Sequence, residues 1–265
     1  MKVANRIVVV TGAAAGIGAA LCRAFAKAGA AKVVATDIDA AGLETLSADI
    51  GCIPYRCDVS NESEIVQLIG DVESRHGPIS LFCSNAGVAI GFDTLSENVA
   101  FASNETWSRS WAINVMAHVY AARALVPRMR ARGEGYFLNT ISAAGVLSQI
   151  GSAAYATTKH AAVGFAESLA IAHRAHGIKA SILCPQAVDT KMLHSVPKGP
   201  QSADGSMTAE EVASVTIEGL EAERFLILPH PEVASYMRNK TDDYDRWIGG
   251  MAKLQRTYRE AATAQ

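Results

Sequence analysis

At 265 residues, 49% of them hydrophobic and 19% charged, the chain carries enough apolar material for one sizeable core and falls in the usual size range of a single α/β domain. Its formal net charge of -2 gives no electrostatic reason to expect nucleic acid or an anionic membrane as a partner, and a small, roughly neutral ligand fits better. The five cysteines, Cys22, Cys52, Cys57, Cys83 and Cys184, are scattered without a CxxC pair, which reads as reduced core residues and not as a metal site.

Residues 7–10 form a short, continuous β-branched run, the pattern of a strand covered on both faces. Thr11-Gly12 cuts that run far short of a signal segment or a membrane span, so the reading is of a cytoplasmic protein. Glycines and an alanine-rich stretch follow, giving strand, tight turn, helix. Strand-like runs recur at 32–36, 53–57, 79–84, 136–141, 178–184 and 225–228, with helix-length segments around 105–131 and 153–176. From Asn61 onwards, Ile65, Leu68, Ile69 and Val72 share one helical face, and Asn61 with Glu64 has the form of a helix-start box. The alternation predicts one domain over residues 1–265: a Rossmann-like, doubly wound parallel sheet of about seven strands with helices on both faces. Ligands should then bind at the carboxyl ends of the strands, near the switch point. Residues 191–207, rich in Pro, Gly and Ser, read as a mobile flap running up to a second helix-start box at Thr208 and Glu211. Residues 230–265 read as a helical or irregular extension.

The first turn, Thr11-Gly12-Ala13-Ala14-Ala15-Gly16-Ile17-Gly18, lies between strand and helix, where glycines let the backbone approach a pyrophosphate and the helix start supplies amides. At the end of the second strand, Asp37 offers a carboxylate to ribose hydroxyls and repels a 2′-phosphate, and neither the turn nor Ile38 supplies a Lys or Arg to neutralise one. That pattern points to NAD over NADP. Tyr155-Ala-Thr-Thr-Lys159 falls in a helical stretch, so phenol and ammonium sit one turn apart on the same face. A phenol titrates near pH 10 in isolation, but a nearby ammonium and a positively charged nicotinamide both favour its phenolate, which makes Tyr155 usable as an acid or base. Ser142 follows a strand and should emerge at the sheet's carboxyl edge beside it.

Together these features resemble the short-chain dehydrogenase/reductase family, over nearly the whole chain from Arg6 to about Leu228. The resemblance rests on the Thr-Gly-x-x-x-Gly-x-Gly turn with Gly12, Ala15, Gly16, Ile17 and Gly18, on Asp37, on Asp58-Val59 and on Asn85-Ala86-Gly87. It also rests on Asn114 within Trp111-Ala-Ile-Asn-Val, and on Ser142, Tyr155 and Lys159. It implies that Asp58 and Val59 contact adenine, and that Asn85, Ala86 and Gly87 hold the central sheet beside the cofactor. It further implies that Asn114 distorts its helix and holds a water leading to Lys159. Lys159 would bind the nicotinamide ribose, with Pro185, Val188 and Thr190 near the carboxamide end. In one departure, Pro185 is followed by Gln186 where the family has glycine. Either the loop differs or that position never needed positive φ, and Gln186 is expected either to point a polar group into the substrate pocket or to stand as an exposed loop residue.

The expected activity is NAD-dependent interconversion of a secondary alcohol and a ketone, with Tyr155 as acid/base and Ser142 holding the substrate oxygen. The alternative is a catalytically silent NAD-sensing protein on the same fold, which the filled set of Asn114, Ser142, Tyr155 and Lys159 disfavours. Val88, Ile90, Phe92, Ala144, Leu147, Met192 and Leu193 are candidate pocket liners, so the substrate is expected to be hydrophobic or aromatic, steroid-like compounds included. Small residues Ala161, Ala162 and Gly164 on the Tyr155 helix are expected to pack between subunits of a homodimer or homotetramer.

Overall fold

The computed structural model describes residues 1–197 and 199–263. Seven parallel strands, β1 (Ile7–Thr11), β2 (Lys32–Asp37), β3 (Ile53–Arg56), β4 (Ile79–Ser84), β5 (Gly135–Thr140), β6 (Ile178–Leu183) and β7 (Leu226–Ile227), form one sheet in the order β3-β2-β1-β4-β5-β6-β7. Each expected strand is present to within two residues. The chain winds outward in one direction from β1 to β3 and in the other from β4 to β7, so the switch point lies between β1 and β4.

Alternate side chains of β1 enter different cores. Val8 and Val10 pack with the residues of α1 (Gly16–Lys27), α2 (Ala40–Ile50) and α8 (Ala209–Glu221). Ile7 and Val9 pack with α3 (Glu62–His76) and α5 (Ala117–Arg132), together with Leu169 of α6 (Ala153–His173). Both faces of the sheet are therefore dry, which explains why its strands read as continuous apolar runs and not as alternations. All five cysteines are buried free thiols.

Three local expectations need correction. Asn61 caps α3 by accepting from the Ser63 amide, while Glu64 accepts from the Asp58 amide, so no reciprocal box forms there. Thr208 and Glu211 do form one. The helical stretch around 105–131 is interrupted: after α4 (Asn104–Trp111) a π-helical turn occupies Ala112–Met116 before α5 begins. Finally, Ala162 is fully buried against Ile141, Ala166, Ile182 and Cys184 of its own chain, so it is no subunit-facing residue, although Gly164 on the same helix is exposed.

The expected flap begins with a short helix, α7 (Lys191–His194), and is tied at its base by a parallel bridge between Val188 and Met207. The C-terminal extension is helical: α9 (Glu232–Asp242) and α10 (Tyr244–Thr263). Val233, Tyr236, Met237 and Trp247 from these helices pack on Ala143 and Leu147, the segment that follows β5. Among the described residues no helix is long and apolar enough to cross a membrane.

Candidate active site

At the carboxyl ends of β1, β4, β5 and β6 the sheet opens into a cavity of about 570 Å³. One half is built by the first turn. Gly12 has φ +66°, and a Cβ there would stand 2.8 Å from Ala86 Cα; a Cβ on Gly18 would stand 2.0 Å from the Gly12 carbonyl oxygen. Glycine is thus required at both places by close backbone approach. Ala15, at the N-cap of α1, supplies no side-chain acceptor, which leaves the first amides of that helix free for an anion. Asp37 faces the turn from the end of β2, its carboxylate accepting from the amides of Ala14 and Asp39, both at 3.0 Å. Thr11 Oγ1 accepts from the amides of Asn85 and Ala86, and Asn85 Nδ2 donates to the Thr11 carbonyl, which stitches β1 to the end of β4.

The other half carries the titratable groups. Ser142 leaves β5 in extended backbone and its Oγ accepts from the Ala144 amide. Tyr155 and Lys159 project from one face of α6, and Lys159 Nζ lies 5.6 Å from the centre of the Tyr155 ring and 3.4 Å from the Thr140 carbonyl oxygen. Phe92 packs beside the phenol, the ring centres 5.8 Å apart. Burial lowers the Lys159 pKa to about 8. Burial likewise raises that of Tyr155, with the Ser142 hydroxyl pulling the other way. The expected depression of the phenol is therefore not a property of this chain alone, because at Tyr155 desolvation outweighs the neighbouring groups.

Asn114 occupies the middle of the π-helical turn, which frees its side chain from the helix and aims it at the chain leaving β4. Its Oδ1 accepts from the Val88 amide, and its Nδ2 donates to the Val88 carbonyl and to Thr158 Oγ1. The place a Cβ would take on Gly87 is 3.3 Å from Asn114 Oδ1 and 3.4 Å from Lys159 Nζ, so the glycine leaves a small opening between the two.

Of the residues singled out from sequence, Gly12, Ala15, Gly16, Ile17, Asp37, Asn85, Ala86, Gly87, Ser142, Tyr155, Lys159, Pro185, Gln186, Val188 and Thr190 line this cavity. Gly18 and Asn114 act from behind it. Asp58 and Val59 stand off to the side: Asp58 Oδ1 accepts from the amide and hydroxyl of Ser60, and Val59 is buried in the core. Phe92, Ala144, Leu147, Met192 and Leu193 line the pocket as expected, but Val88 and Ile90 do not; Ala89 takes their place. Gln186 has no positive φ, so the loop tolerates a side chain where glycine was expected. Sequence reasoning missed Trp247, Met251 and Leu254 of α10, which roof the cavity. Their i, i+4, i+7 spacing is a helical face visible in the sequence, but nothing local says what it covers.

Residues 6–201 match the family model described as short chain dehydrogenase. The chain is 34% identical over 256 residues to 1-deoxy-11-beta-hydroxypentalenate dehydrogenase of Streptomyces exfoliatus, covering 94% of this chain and 91% of that protein. It is 33% identical over 199 residues to mouse (Mus musculus) epidermal retinol dehydrogenase 2, covering 72% of this chain and 63% of that protein. Among solved structures, a short chain dehydrogenase/reductase from Burkholderia phymatum in complex with NAD superposes with a TM-score of 0.80 at 29% identity, covering 92% of this chain and 96% of that one.

Proposed function

The chain belongs to the short-chain dehydrogenase/reductase family and is an oxidoreductase, and from that premise we propose that it interconverts an apolar secondary alcohol and the corresponding ketone with NAD. The observation that carries this reading is the convergence of Ser142, Tyr155 and Lys159 with the glycine turn and Asp37 in one cavity.

The cofactor half fits a dinucleotide. The uncapped start of α1 suits a pyrophosphate, Asp37 suits ribose hydroxyls and is hostile to a 2′-phosphate, and Val188 and Thr190, which line the same cavity, would contact the nicotinamide carboxamide. Asp58 and Val59 would border the adenine. When bound, the nicotinamide supplies the hydride acceptor or donor.

The chain's own residues manage the oxygen and its proton. Ser142 Oγ holds the substrate oxygen beside the phenol, and Tyr155 Oη takes the hydroxyl proton during oxidation and returns it during reduction. Because burial raises the phenol's pKa, the free protein keeps Tyr155 protonated at neutral pH. Lys159 is placed to favour the phenolate while it carries its charge, and to hold the ribose. A water in the opening at Gly87 would join Lys159 to Asn114 and pass the proton onward. Phe92, Leu147, Met192, Leu193 and the α10 roof make the substrate half mostly apolar. Assembly as a homodimer or homotetramer belongs to the same proposal; Trp111 and Ile171 are exposed apolar side chains that it would cover.

The direct test is calorimetric titration with NAD and NADP, followed by spectroscopic assay of NAD reduction with apolar secondary alcohols. NAD binding with turnover supports the reading. NAD binding without turnover on any secondary alcohol or ketone opposes it.

A further inference from the structure

Helix α10 roofs the substrate half of the cavity, yet the core does not hold it: none of its 20 residues is buried. Its inner end is fixed by several contacts. Asp243 caps it, accepting from the Arg246 amide at 2.9 Å, the Tyr244 ring lies 5.5 Å from Lys240 Nζ, and Trp247 packs on Leu147 and Val233. Its outer end is fixed by one side chain. Arg259 Nε donates to the Thr94 carbonyl at 3.1 Å, and Nη2 donates to the carbonyls of Leu95 at 2.7 Å and Ser96 at 2.5 Å. That turn is ordered without Arg259: Asp93 Oδ1 accepts from the amides of Leu95 and Ser96, and the Asp93 amide donates to the Gly151 carbonyl at 2.9 Å, just ahead of α6. The same segment carries Phe92, so Arg259 joins the roof to the rim beside the phenol.

Between the two fixed ends stand Gly249 and Gly250. A glycine pair inside a helix weakens it, because glycine loses the most backbone freedom on ordering. Packing requires neither: a Cβ on Gly249 or Gly250 would meet nothing within 4 Å. Paired small residues are where helices bend, and small residues often serve as the hinges of lids. This pair separates Trp247, on the anchored side, from Met251 and Leu254, which line the cavity from the outer side.

We propose that residues 251–263 form a lid that swings from Gly249-Gly250, is latched by Arg259 on the carbonyls of Thr94, Leu95 and Ser96, and makes the protein selective for apolar alcohols long enough to be covered by Met251 and Leu254. This rests on the alcohol dehydrogenase reading above and narrows its substrate class by length. A guanidinium on backbone carbonyls suits a latch. Its contact with Leu95 is exposed to solvent, so water satisfies the groups that opening releases and no buried charge is left unpaired.

The first test is hydrogen exchange on the full-length protein, read by mass spectrometry, and it needs no substrate. Arg259→Met keeps the stem and removes the latch, so exchange over residues 251–263 should accelerate at least about fivefold while residues 244–248 hold within about twofold. Arg259→Lys, whose compact ammonium lacks the guanidinium fork, should fall between wild type and Arg259→Met. Gly249→Ala combined with Gly250→Ala fills open space and stiffens the helix, so exchange over 251–263 should slow at least about threefold. No change in Arg259→Met, acceleration shared equally by 244–248, or no slowing in the alanine pair overturns the hinged lid. Selectivity is read in the NAD assay with cyclohexanol and 4-cyclohexylcyclohexanol. Arg259→Met should raise KM for the longer alcohol at least about fivefold, with KM for cyclohexanol and kcat for both held within about twofold. Equal changes in KM for the two alcohols, or a loss of kcat with both, overturns the selectivity. The expected exchange pattern with no turnover of either alcohol by wild type keeps the lid while sinking the proposed reaction, so the two failures are distinct.

Discussion

Lys240, near the end of α9, is a buried ammonium that ties the C-terminal extension to the segment after Ser142. It is 8% exposed, and its Nζ donates to the carbonyls of Val146 at 3.0 Å and Leu147 at 2.7 Å. The third contact is His160 Nε2 at 3.4 Å; His160 Nδ1 faces the Ala156 carbonyl at 2.9 Å and so carries the ring proton, leaving Nε2 as the acceptor. Among the described residues no carboxylate pairs with Lys240, so its charge is satisfied by these acceptors and by the Tyr244 ring 5.5 Å away. Lys240→Met preserves the stem's packing and removes the donor. Each lost bond to a charged group is worth about 1.5–3 kcal/mol, and two carbonyls are left short of a donor. Release of a buried charge offsets part of this, leaving a net loss of about 2–3 kcal/mol. For a chain of this size that is a fall in melting temperature of about 5–10 °C, read by calorimetry or circular dichroism. Because the freed segment begins at Ser142, kcat/KM should fall about tenfold while NAD affinity, set on the far side of the cavity, holds. A melting temperature within about 2 °C of wild type, with unchanged kcat/KM, would refute the idea that this lysine anchors the catalytic segment.

Two further expectations concern charge. Asp37→Ala removes the carboxylate facing the first turn, and the ratio of NAD to NADP affinity should fall at least about tenfold in paired titrations; an unchanged ratio would remove Asp37 as the selector. Lys159 has a folded pKa of about 8 against an ordinary value of 10.5, so between those values the unfolded chain binds more protons than the folded one. Stability should therefore rise with pH across that window, by up to about 3 kcal/mol from this group. The buried thiols, whose pKa values burial raises, act in the opposite direction over the same range, so the group is isolated by comparison: between pH 7 and pH 10 denaturant titrations should show wild type gaining stability relative to Lys159→Met, and equal pH dependence in the two would contradict the buried ammonium.

Much of this was legible in the chain because the physics is local or periodic. A parallel sheet dry on both faces requires runs such as Ile7 to Val10, and close backbone approach requires Gly12 and Gly18, so strands and cofactor turn could be read residue by residue. Tyr155 and Lys159 were legible because one helical turn fixes their relation. The distortion at Asn114 was legible only through the family resemblance, and the structure shows it as a π-helical turn; the apolar pattern of the segment by itself reads as helix throughout. The side of the chain after β4 was misread at Val88 and Ile90 because irregular backbone carries no periodicity from which to infer direction. The roof of Trp247, Met251 and Leu254 lies more than ninety residues from Tyr155, and its docking depends on tertiary contacts such as Lys240 to Val146. Equally, the raised pKa of Tyr155 depends on how deeply α6 is covered, a property of the assembled fold and not of the Tyr-x-x-x-Lys spacing.

The proposed chemistry depends most on Tyr155 moving the proton, and the most direct measurement is NAD reduction by wild type and Tyr155→Phe across apolar secondary alcohols at mildly alkaline pH. NAD affinity is measured on both proteins. The phenylalanine variant should keep its NAD affinity and lose turnover by about 10²-fold to 10⁴-fold. Turnover by Tyr155→Phe at the wild-type rate would contradict the assignment of the acid/base to this residue.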